Sequence, residues 1–73
     1  MIQTYRIPYN QHKYQDLSDN PRRAYIHIRA SNHQEAEADL YDWRRLHADG
    51  ITTKQGNRYY IGSVFPEAAE ITR

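Results

Sequence analysis

The stretch AYIHIRASNHQEAEADLYDWRRLHADGITTKQGNRYYIGSV, Ala24 to Val64, decides the fold. At its start Ala24, Ile26, Ile28 and Ala30 alternate with Tyr25, His27 and Arg29. One face is apolar and one polar, as a half-buried strand requires, and the strand is read as Arg22 to Ala30. Ser31 or Asn32 then caps a helix, because Gln34 and Glu35 follow them at capping-box spacing. Glu35, Glu37 and Asp39 suit the positive end of the helix dipole, and Arg44, Arg45 and His47 the negative end. Ala36, Leu40, Trp43 and either Leu46 or His47 form one apolar stripe. Gly50 fits the left-handed residue that ends a helix, with Ile51 folding back onto the last turn. The helix would run about 18 residues, roughly 27 Å. Ile51 to Lys54 and Arg58 to Phe65 then read as a hairpin around Gln55-Gly56-Asn57.

The flanks carry weaker signals. Ile2 to Ile7 reads as a first strand, which Pro8 ends or confines to an edge. Residues 8–21 read as a polar connector. Tyr14 and Leu17 can form a helical turn within it, and Ser18-Asp19-Asn20-Pro21 is turn chemistry. Residues 66–73 read as a short helical turn or a frayed tail. A helix with one apolar stripe must cover a sheet with one apolar face. The expected fold is α+β in one small domain: a largely antiparallel sheet in β-β-α-β-β order, with one amphipathic helix packed on one face. Trp43 is expected at the centre of the core, so that Trp43→Ala unfolds the domain.

Composition limits that core. The chain has 73 residues, of which 38% are hydrophobic, and seven are Tyr. So thin a core often gains stability from a metal, disulfides or association. There is no Cys, which excludes disulfides and fits a reducing compartment. No targeting segment or apolar run of membrane-spanning length is visible. The expectation is a cytoplasmic protein with no membrane partner.

Chemistry-bearing patterns are sparse. The four His residues, His12, His27, His33 and His47, lack the spacing of a metal site. Ser18, Ser31 and Ser63 have no nucleophile elbow. Gly56 and Gly62 are too far apart for a phosphate cradle. No cofactor, metal or catalytic residue is assigned, and no enzyme activity is expected.

Two surfaces are candidates for binding. The uncovered sheet face would gather Tyr25, His27 and Arg29 with Arg58 and Tyr60. Such a face is an ordinary solvated one, a protein contact, or a stacking platform for single-stranded nucleic acid. The formal net charge of +1 weighs against nucleic acid, whose dedicated binders carry a clear basic excess. The exposed side of the helix offers Tyr41, Arg44 and Arg45. The first strand and the hairpin edge would present unpaired backbone, open to a homodimer or to a partner's strand. The leading expectation is a non-catalytic binding protein that modulates a protein partner. In size and layout it looks like the accessory proteins of phages and mobile elements that act on host factors. A small single-stranded nucleic-acid-binding protein is the alternative.

Overall fold

A computed structural model describes residues 1–14 and 20–72. The elements are β1 (Gln3–Lys13), β2 (Arg22–Ala30), α1 (His33–Leu46), β3 (Ile51–Thr52), β4 (Arg58–Val64) and β5 (Glu70–Thr72), with a 3-10 turn at Pro66–Ala68 before β5. All strand pairs are antiparallel. The sheet order is β2-β1-β4-β3, and β5 pairs with β1 beside β4. The chain is thus an α+β domain in the expected order, with a fifth strand added at the end.

The first strand departs most from its sequence reading. It does not stop at Pro8 but continues to Lys13, and it lies in the middle of the sheet. Most of the first half of the expected connector is therefore strand, while residues 15–19, with the Leu17 and Ser18-Asp19 readings, fall outside the described residues. Pro8 is tolerated because of where its missing donor points. The Pro8 carbonyl accepts from Phe65 N–H at 3.0 Å, so the Pro8 nitrogen faces the same way, toward β4 and β5. There β1 changes partner: β4 pairs with it from Tyr9 to Lys13, and β5 from Thr4 to Arg6. The proline sits at the one break in the ladder where no donor is needed.

Tyr5, Ile7, Tyr9, Ile26, Ile28, Ala30, Ala36 and Leu40 form the buried core between the sheet and α1. With few aliphatic residues, tyrosines fill it and keep their hydroxyls paired at the rim. Tyr5 donates to Gln3 at 3.2 Å, Gln11 donates to the Tyr9 hydroxyl at 2.6 Å, and Arg22 donates to that of Tyr59 at 3.2 Å.

The helix begins as read, with Asn32 Oδ1 accepting from Glu35 N–H at 2.9 Å. It is shorter than expected, 14 residues. Ala36 and Leu40 are buried, His47 is half-buried, and Leu46 is 80% exposed, so the stripe ends on His47.

Trp43 is not the core's centre. It is half-buried at the rim, with its ring edge-on to Tyr9 at 5.3 Å and tilted over His47 at 4.7 Å. The centre is Tyr5, 2% exposed. Trp43→Ala therefore loses half a ring's burial and its ring contacts with Tyr9 and His47, about 2 kcal/mol. A thermal melt should stay cooperative, with Tm lower by roughly 10 °C. Loss of the transition would restore Trp43 to the centre.

Candidate functional site

The aromatic and basic residues expected on one sheet face are divided by the strand order. Tyr25, His27 and Arg29 stand exposed on the edge strand β2, and Arg58 and Tyr60 stand two strands away on β4. Tyr25 pairs with Pro8 and Tyr60 with His12, so strand spacings put them roughly 17 Å apart. Arg29, level with Thr4, lies roughly 30 Å from Tyr60 by the same measure.

Much of this chemistry is spent inside the molecule. The Arg6 guanidinium lies over the Tyr25 ring at 4.5 Å and pairs with Glu70 at 2.7 Å. Arg23 covers Phe65 at 4.8 Å. Tyr60 stacks on His12 at 5.0 Å and 13°, and the absence of a side chain at Gly62 lets that imidazole lie where a Cβ would fall 2.5 Å from its Nε2. Arg58 lies 4.5 Å over the Tyr14 ring and donates to the Asp49 carbonyl at 2.8 Å, which also accepts from the Tyr14 hydroxyl at 2.7 Å. Arg58 and Tyr14 thus clamp the chain that leaves the helix. Among the described residues no cluster of three or more His, Asp or Glu could hold a metal, and no helix is long and apolar enough to cross a membrane.

A concave site forms where sequence reasoning had only half of its residues. Tyr41, Arg44, Arg45 and Ala48 follow each other at helical spacing on the flank of α1 and its last turn, beside the core stripe. With His47 they make one wall of a groove of about 540 Å³, whose other wall is Tyr60, Ile61 and Gly62. Tyr41, Arg44, Arg45 and Tyr60 were legible from the sequence as surface candidates. Ile61, Gly62 and His47 were assigned elsewhere, to the core, the strand and the helix end.

The second wall is a strand edge. Successive side chains of a strand point to opposite faces, so three consecutive residues line one wall only along the backbone. That edge is open because β3 starts only at Ile51: Ile51 pairs with Tyr59 and Thr52 with Arg58, and the chain before Ile51 does not continue the pairing up to Ile61. The hairpin arm read as Ile51 to Lys54 is half that length as strand. Gly50 sets its start. At φ +103° the chain turns off the sheet toward the helix, and a Cβ there would meet the Tyr59 carbonyl at 2.6 Å and the Tyr14 ring at 2.9 Å.

The ladder shows which groups the edge offers. Arg58 accepts from Tyr14 N–H at 3.1 Å on the β1 side. Alternation then directs Tyr60 toward β1 as well, and Tyr59 and Ile61 outward. Tyr59 meets Ile51. The Ile61 N–H and carbonyl face the groove with no strand beside them. Beyond Ile61 the register slips between Tyr9 and Gln11, which pair with Val64 and Ile61. This one-residue bulge bends the end of β4.

The whole outer side of β2 is also an open edge, as are the outer sides of the short strands β3 and β5, while the first strand, expected to show unpaired backbone, is enclosed by partners on both sides. A two-fold pairing of β2 with its own copy about Ile26 would set Arg23 against Arg29, and like charges directly opposite destabilise a pair. No family model, curated protein or solved structure gives a significant match to this chain.

Proposed function

We propose that this chain is a non-catalytic binding domain whose partner is another protein, received as an extended segment along the outer edge of β4 beneath the flank of α1. The observation that carries this reading is the open Ile61 edge inside the groove. Strand addition to such an edge derives affinity from main-chain hydrogen bonds and specificity from the side chains around it. Tyr and Arg, which line the helix wall, are the residue types most common at the energetic centres of protein interfaces. Modulation of a host factor, in the manner of phage or mobile-element accessory proteins, rests on size and layout alone.

The nucleic-acid alternative loses support from the strand order. A stacking platform needs free rings next to free cations, and here the exposed rings of Tyr25 and Tyr60 each already carry a partner on one face, Arg6 and His12, and lie far apart. The test is a library of displayed random peptides selected on the folded protein, with amide shifts mapped for an enriched peptide. Shifts centred on Tyr41, Arg44, Ile61 and Gly62 are expected. No enriched peptide, together with salt-sensitive shifts at Tyr25, His27 and Arg29 on adding mixed-sequence single-stranded DNA or RNA, would transfer the assignment to nucleic acid.

A further inference from the structure

Resting on the segment-binding reading, we infer that the occupant of the groove is an acidic segment of the partner protein, added antiparallel to β4 with alternate Asp or Glu side chains turned toward Arg44 and Arg45.

The argument is one of charge. The groove is lined by two arginines and a histidine, and no carboxylate lines it. Arg45 is partly satisfied by Asp42, at 3.1 Å and on an exposed pair. Arg44 has no ion pair, hydrogen bond or ring contact among the described residues. Most other described arginines are engaged: Arg6 with Glu70 and Tyr25, Arg22 and Arg23 over tyrosine and phenylalanine rings, and Arg58 at the Asp49 carbonyl. Arg29, the other arginine without such a contact, lies on β2 and does not line the groove. Among the described residues, Arg44 is therefore the uncommitted guanidinium beside the unpaired backbone of β4.

Geometry sets the form of the occupant. Side chains on an added strand alternate, so only every second one meets the helix wall. The guanidinium fork matches a carboxylate in two parallel bonds, and Tyr41 and Ala48 leave apolar surface between the charges. An antiparallel segment makes straight hydrogen bonds with the outward N–H and carbonyl of Ile61. It continues the line of β3 past the point where Gly50 leads the chain away.

The test uses two capped peptides, one alternating valine and glutamate and the other valine and lysine, titrated into the labelled protein at low salt. The glutamate peptide should shift the amides of Ile61, Gly62 and the last two turns of α1. The lysine peptide should bind at least about tenfold more weakly, the ratio expected from one charged hydrogen bond of roughly 1.4 kcal/mol. Arg44→Glu, on an exposed helix position, should leave the fold intact and reverse the preference. Equal binding of both peptides in the groove would overturn the acidic assignment and leave segment binding standing. Binding of neither there overturns it as well, and the peptide selection then decides whether segment binding itself survives.

Discussion

Tyr5→Ala is expected to abolish cooperative folding. Tyr5 is the most deeply buried large side chain, 2% exposed, and lies on the central strand opposite Ile28, with its ring edge-on to His33 at 5.0 Å. Truncating a buried aromatic costs about 3–5 kcal/mol. A domain of this size holds only about 4–11 kcal/mol in total. Near-UV circular dichroism of Tyr5→Ala should collapse, and the urea transition should broaden or move to the lowest concentrations. Tyr5→Phe separates the ring from its hydroxyl. It gives up only the 3.2 Å bond to the Gln3 side chain, so it should cost under about 1 kcal/mol. A Tyr5→Ala protein that melts like the parent would place the centre of the core elsewhere.

Gly50→Ala should be the most damaging glycine substitution, for a reason that also concerns the site. Left-handed backbone costs a residue with a Cβ about 1–2 kcal/mol. The clash with the Tyr59 carbonyl at 2.6 Å and the Tyr14 ring at 2.9 Å adds about 1–3 kcal/mol, because one of those atoms is backbone and cannot swing aside. Gly56 supplies the control. Its φ is +86°, but a Cβ there would meet nothing within 4 Å. Gly56→Ala should therefore lose only the backbone part. Urea unfolding of the two variants should differ by the steric part, about 1–3 kcal/mol. Equal losses would mean that the close approach at Gly50 is not rigid. Relief of the clash would push β3 away from β4, so Gly50→Ala should also weaken the glutamate peptide.

The parts of the fold legible in the sequence were those with local physical causes. The alternation from Ala24 to Ala30, the Asn32 cap, the apolar positions 36, 40 and 43, and the turn at Gly56 each depend on residues close in sequence. The parts that were missed depend on the partner strand. Pro8 reads as a stop until its nitrogen is known to face the gap between β4 and β5. The strand Glu70–Thr72 is too short to show a period, and it is held by pairing with Thr4 to Arg6. Trp43 has the size and position of a core residue, but it is only half-buried against Tyr9 at the rim of the core, which its spacing on the helix does not reveal. The slip near Tyr9 places both Ile61 and Val64 on the core face, which strict alternation forbids.

The same division holds for the site. Tyr41, Arg44, Arg45 and Tyr60 were visible as surface aromatics and cations, and nothing local joined the helix residues to the strand. What joins them is the late start of β3 at Ile51, set by the turn at Gly50. A β3 that began two residues earlier, at Asp49, would have covered Ile61 and closed the groove, whereas the arm read as Ile51 to Lys54 extends the other way, toward the turn at Gly56. The expected platform failed for the opposite reason. Its five residues share a side-chain type but not a neighbourhood, because β1 lies between β2 and β4.

The most direct measurement is amide hydrogen exchange along β4, without and with the glutamate peptide. In the free protein the Tyr60 amide, directed at β1, should exchange slowly, and the adjacent Ile61 amide should exchange near the solvent rate. Adding the peptide should slow Ile61 and leave Tyr60 as it was. An Ile61 amide as protected as that of Tyr60 in the free protein would show the edge already covered, and would contradict a docking site on β4.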